Sequence, residues 1–95
     1  MNEARGEVGL VIGGRERRLC LTLGALAEIE AAFGCDRMSD LDARMRALSA
    51  ADLGVVLGAL LRGGEGTKAV LDTGAVSPGA AAGAVAEAFR LGLAS

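Results

Sequence analysis

Thr22 marks a change of period. Before it the apolar residues alternate, with Val8, Leu10 and Ile12 on one arm and Leu19 and Leu21 on another. After it they recur every three or four positions, through Leu26, Ile29 and Phe33. Alternation marks a half-buried strand, and the longer period marks an amphipathic helix. No linker separates the two. The helix must therefore fold back, and the strand's apolar face becomes the floor beneath it. Thr22 suits the junction, because its hydroxyl can accept an orphan N–H from the helix's first turn. The helix is expected over Leu23 to Phe33, with Gly34 in the left-handed position that closes it.

The two arms read as a β-hairpin over residues 7–21. Gly13-Gly14 lies between them and supplies positive φ without steric cost. With those two residues as the loop, Ile12 faces Arg15, Leu10 faces Arg17 and Val8 faces Leu19. The arginine stems then cover the turn end of the apolar face. A slip of one residue would put every side chain on the wrong side, so the pattern specifies the register.

Further helices show capping patterns. "SDLD" places Ser39 as N-cap of a helix over about Asp40 to Ala47, with Leu41, Met45 and Leu48 on one face. "SAAD" places Ser49 as N-cap of a helix over about Ala50 to Arg62, ended by Gly63. Asp stands in both where the strict capping box has Glu or Gln. The second helix carries Leu53, Val56, Leu57 and Leu60, with Val55 and Leu61 outside that stripe. It is either the central core helix or part of a contact surface. "TKAVLD" suggests a short helix capped by Thr67 and stopped at Gly74. Ser77 and Pro78 then open a last helix, as N-cap and first helical residue. Its apolar line is Ala81, Val85, Ala88, Phe89 and Leu93. The expected fold class is α+β, an N-terminal hairpin followed by three to four packed helices in a single domain over 1–95, with the helical part over 23–94. Leu10, Leu26, Phe33 and Leu57 are the expected core.

Composition removes several function classes. The chain is 52% hydrophobic but only 2% aromatic, so its core must be built from small aliphatic side chains. A net charge of -2 gives no basic surface for nucleic acid or anionic membrane. There is no histidine, and Cys20 and Cys35 form no CxxC, so the usual Cys/His zinc site cannot be assembled. Both cysteines read as reduced thiols of a cytosolic protein. The N-terminus has no apolar signal core and no run is long enough to span a membrane, so a soluble, unexported, cytoplasmic protein is expected.

Chemistry is equally sparse. "GGEGTK" has the wrong glycine spacing, a reversed Thr-Lys order and a helix before it, so it reads as a flexible connection and not as a phosphate loop. Arg15, Arg17 and Arg18 have no aromatic nearby to stack a base and read as a solvated hairpin arm. No base or activated nucleophile is visible, Glu28 and Glu30 do not share a helix face, and Asp40 and Asp42 suit a helix's first turn. The residues alone point to a non-enzymatic interaction or structural protein without cofactor.

"RGEVGLVIGGRERRLCLTLGALAEIEAAFG" followed by "LSAADLGVVLGALLRGG" resembles the small tail proteins of gene transfer agents and related siphophage-like prophages. That family is described as tail assembly chaperones, with some members labelled tail tube protein. Cys20 stands where an arginine is common there, and Gly13-Gly14 where Asp-Gly or Asn-Gly is usual. After Gly64 the likeness thins to a general Ala-rich helix. The resemblance implies a non-catalytic chaperone that binds the tape measure protein, helps recruit tail tube subunits and then leaves. Homo-oligomerisation is left open, and neither nucleic acid nor membrane is an expected partner. The candidate partner-binding residues are Val85, Phe89 and Leu93, on a helix too rich in Gly and Ala to be stable alone. The alternatives are a structural tail component, tube or terminator, and a small cytoplasmic adaptor. A tube subunit normally needs a large β-sheet, and this sequence supports one hairpin.

Overall fold

A computed structural model describes residues 6–94. Met1 to Arg5, part of the N-terminus read above as lacking a signal core and ending in the first residue of the family-like stretch, lie outside the described residues, as does Ser95. Gly13 and Gly14 close the hairpin with φ of 62° and 78°, the pair of positive values that a type I′ turn needs. Strand β1 (Glu7–Ile12) pairs antiparallel with β2 (Arg15–Cys20) in the register expected, Ile12 opposite Arg15 and Val8 opposite Leu19. Leu10, Ile12 and Leu19 point into the core, while Gly9, Val11, Glu16 and Arg18 are exposed.

Thr22 then caps helix α1 (Leu23–Phe33), its hydroxyl accepting from the Ala25 N–H at 3.0 Å, and Gly34 ends it at φ 66°. Three more helices follow: α2 (Met38–Met45), α3 (Ala50–Glu65) and α4 (Pro78–Gly92). The architecture is thus α+β, 60% helical and 13% strand over the described residues. Helix α3 is the hub. It packs on β2, α1 and α4, while α4 also covers β1. Residues Val56 to Leu61 of α3 are all buried.

Four local expectations are corrected. Helix α2 begins two residues earlier than the Ser39 cap would place it. The carbonyl of Arg37 accepts from both Asp40 and Leu41 at 3.1 Å, so the first turn closes on Arg37 and Ser39 lies inside the helix. Gly63 does not end α3, which runs on to Glu65 and is capped by Gly66 at φ 114°. The Thr67 helix is absent. Residues 67–72 turn and extend, and a 3₁₀ turn follows at Thr73–Ala75, capped by the Asp72 side chain, which accepts from the Gly74 N–H at 3.0 Å. The Ala75 carbonyl in turn accepts from the Gly13 N–H at 3.1 Å, tying this strap to the hairpin. Lastly, Leu10 and Leu57 are buried but Leu26 and Phe33 are only half-buried; Ile29 and Ala25 fill the core beneath α1 instead. Phe33 lies at the helix end and carries the Arg44 guanidinium over its ring at 4.5 Å.

Gly63 and Gly64 explain why α3 continues. A Cβ on Gly63 would sit 2.2 Å from the Cys20 carbonyl oxygen, and one on Gly64 would sit 2.3 Å from that of Arg18. Helix and strand backbones are in direct contact, and a side chain at either position would push them apart. In a free helix Ala would be favoured over Gly by about 1 kcal/mol. Here Gly63→Ala and Gly64→Ala are expected to destabilise by about 1–3 kcal/mol through overpacking. Gly83 in α4 faces open space. Gly83→Ala is therefore expected to stabilise by roughly 0.5–1 kcal/mol. Urea unfolding checks the opposite signs.

The two serines make a second contrast. Ser49 accepts from the Asp52 N–H at 3.1 Å and the Asp52 carboxylate accepts from the Ser49 N–H at 3.3 Å, a complete capping box. Ser49→Ala is expected to cost about 1 kcal/mol. Ser39→Ala, at a position that caps nothing, is expected to stay within about 0.5 kcal/mol of wild type. Equal losses in thermal unfolding would contradict this assignment of helix starts.

Candidate partner-binding groove

Helix α4 buries Ala81, Ala84, Val85 and Ala88 and turns its bulkier residues toward α2. Ala82, Val85, Ala86 and Phe89 form one stripe at the three-to-four spacing of a single helix face, and Leu93, the cap just past its end, continues it. Across from them stand Met45 of α2, Leu48 of the connection and Leu53 of α3. Between these walls runs an open, mainly apolar groove of about 750 Å³. That is within the size range of ligand-binding clefts. Asp42 and Arg90 stand among its lining residues.

The structure brings the three candidate residues to this groove but grades them by depth. Val85 is 4% exposed and belongs to the core. Phe89 is half-buried against that core, and Leu93 is 54% exposed. The sequence pattern put them on one face and could not tell floor from lip. It also missed the opposite wall. Met45 and Leu48 share a face with Leu41 in the sequence pattern; Leu41 is buried, but Met45 and Leu48 are half-buried, because α2 ends at Met45 and Leu48 lies beyond it. A second apolar groove, of about 760 Å³, lies on the other side of α3 under the 69–76 strap, with Val55 and Val70 exposed in it. Leu53 and Pro78 line both grooves. Of the residues outside the α3 stripe, Leu61 is thus core and Val55 is surface.

Ion pairs hold the walls in place. Asp52 binds Arg44 at 3.2 Å and joins α2 to α3, while Glu28 pairs with Arg62 and joins α1 to α3. Each carboxylate is held below its usual range, chiefly by its arginine. The arginines of the hairpin behave differently from a solvated arm. Arg15 and Arg18 are exposed, but Arg17 donates to Glu65 from Nη2 at 2.7 Å and from Nε at 2.9 Å. Glu65 also accepts the Arg18 backbone N–H at 3.0 Å. "GGEGTK" is therefore no loose connection: its first three residues form the last turn of α3, docked on β2. Among the described residues no helix is long and apolar enough to cross a membrane.

A protein-family model described as phage tail tube protein, GTA-gp10, matches residues 5–94. The chain belongs to this family. Membership places it among the proteins of phage-type tails, and the match runs through the Ala-rich C-terminal region that the sequence alone related only weakly. No curated protein and no solved structure gives a significant match to the chain.

The clamp at Glu65 gives a pH dependence. Hydrogen bonding from Arg17, opposed by burial and helped by the Arg18 N–H, lowers the Glu65 pKa from 4.5 to about 2. A carboxylate with a depressed folded pKa stabilises the fold above its unfolded pKa, and that contribution is lost as pH falls through the folded value. Stability is therefore expected to decline from about pH 4.5 toward about pH 2 in part through this group. Glu65→Gln should flatten that part of the curve, as measured by urea unfolding across the range.

Proposed function

We propose that this member of the GTA-gp10 family is a non-catalytic tail assembly chaperone that holds an amphipathic helix of the tape measure protein in the α2–α4 groove. It would act in the cytoplasm while the tail is being built, and would pass the tape measure to tail tube subunits. The observation that supports this reading is the groove's graded wall. Helix-in-groove binding needs apolar anchors at helical spacing on a surface that is already folded. Val85 supplies a fixed floor, Phe89 a half-sunk wall and Leu93 a free lip, with Met45 and Leu48 facing them. A long helical protein awaiting assembly exposes apolar faces for which such a groove is a complement.

A structural tail component is the second reading, and the family's description as a tube protein favours it. The physical difficulty is the sheet. The described residues form two strands, whereas a ring of tube subunits needs a continuous β-structure between neighbours. The two readings separate by whether the chain stays in the finished tail.

Co-expression tests the proposal. Wild type is expected to keep the cognate tape measure protein soluble and to co-purify with it, and to be missing from mature tails. Leu93→Asp changes an exposed residue, so it should leave the circular dichroism spectrum unchanged. If Leu93 is a contact anchor, it should weaken capture by about 2 kcal/mol or more, roughly thirty-fold. Phe89→Asp should weaken capture further, with some loss of stability because the ring is half-buried. Unchanged capture by Leu93→Asp, or retention of the chain in finished tails, would remove the chaperone reading.

A further inference from the structure

The hairpin has two outer edges, and the fold treats them differently. Its loop has two residues, so Ile12–Arg15, Leu10–Arg17 and Val8–Leu19 are the hydrogen-bonded pairs, and the residues between them turn their N–H and C=O groups outward. On β2 these are Glu16, Arg18 and Cys20. That edge is covered at Arg18 and Cys20, since Glu65 accepts the Arg18 N–H and Gly63 and Gly64 of α3 lie against the Cys20 and Arg18 carbonyls. On β1 the outward groups are those of Glu7, Gly9 and Val11. Among the described residues none bonds to Gly9 or Val11 at this edge. Val11 is 57% exposed, and the strand has no proline, lysine or bulge to deter pairing.

We propose that the outer edge of β1 pairs with β1 of a second copy of this chain, antiparallel about a two-fold axis through Gly9. The edge is its own complement in that register. Outward-facing residues must meet outward-facing residues, and the register that pairs all three of them, Glu7, Gly9 and Val11, places Gly9 opposite Gly9, Glu7 opposite Val11 and Val8 opposite Leu10. Val8, half-buried in one copy, gains the apolar Leu10 of the other beside it on the inner face. The bare Gly9 pair leaves the centre of the outer face clear of side chains. An isologous contact of this kind closes after two copies and gives one continuous sheet in the strand order β2-β1-β1-β2.

The register makes a charge-specific test possible. Val11→Glu puts a carboxylate opposite Glu7 of the second copy, at two symmetric places. The dimer, read by analytical ultracentrifugation, should weaken by about 2- to 30-fold, as two like-charged cross-strand pairs imply. The double variant Glu7→Lys with Val11→Glu puts opposite charges there and should restore it. Glu16 faces Val11 within the same hairpin and feels the same change in both variants, so restoration isolates the contact between copies. Hydrogen exchange on wild type is independent of any variant. The Gly9 and Val11 amides should be protected in concentrated solution and exposed on dilution. A wild type that stays monomeric at millimolar concentration overturns the proposal. So does a dimer indifferent to both variants, or protection that appears only when tail tube subunits are added.

Discussion

Everything else in the fold is placed by the contact between the last turn of α3 and the backbone of β2. Three consecutive residues make it. Gly63 and Gly64 remove the side chains that would hold the two backbones apart, and Glu65 reaches Arg17 and the Arg18 N–H across the gap. A helix that lies on a strand this closely has little freedom to slide or rotate. The other helices are then set by α3. Gly63 also brings α3 within contact of Ala25, so α1 packs on the same close surface, and Arg62 pairs with Glu28 beside it. At the far end of α4, Gly92 lies against Leu21, where a Cβ would come within 2.8 Å of the leucine Cβ. Close approach at small residues replaces the bulk of aromatic rings, which is how the core of a chain with only 2% aromatic residues excludes water.

The local signals in the sequence were reliable where backbone chemistry alone decides. The Gly13-Gly14 turn sets the register, the Thr22 hydroxyl and Gly34 bound α1, and Ser49 and Ser77 open α3 and α4, all as their residue types require. The signals misled where tertiary contact overrides propensity. A Gly-Gly pair looks like a helix stop until the strand that needs it is in place, because glycine costs helix stability that only the β2 contact recovers. Ser39 looks like a cap until the Arg37 carbonyl closes the turn first. Phe33 looks like core by period, yet a helix end at the molecular surface leaves the ring half covered and open to Arg44. The stripe of Val85, Phe89 and Leu93 proposed for partner binding was legible by its spacing, but its depth was not, because depth depends on where α2 stops.

The groove follows from that stopping point. Helix α2 has no side-chain cap at its start, and its one fully buried side chain is Leu41. Besides Leu41 it is joined to the rest through Arg44, which serves the Phe33 ring and the Asp52 carboxylate together. Had α2 continued to Ala47, Leu48 would have extended its buried face across toward α4. By ending at Met45 it leaves Met45 and Leu48 half-buried opposite Phe89 and Leu93, and the space between them is the groove. A wall held by few contacts sits at the low-stability end of a fold, where elements that move on binding are found.

Division of labour along α4 reconciles a stable fold with a reversible contact. The alanines at 81, 84 and 88, with Val85, bury the helix against the core and β1, so its position does not depend on the larger residues beyond them. Phe89 and Leu93 can therefore trade one apolar neighbour for another without unfolding the domain. Burying a leucine whose backbone N–H is already tied to the helix end, as that of Leu93 is to the Phe89 carbonyl, adds little ordering cost on binding. For the proposed role, a contact built from a few such side chains would need to be strong enough to cover an exposed helix and weak enough to be displaced when a larger, continuous surface offers itself. In the proposed chaperone role a polymerising tube would present such a surface, and mass action would then favour release.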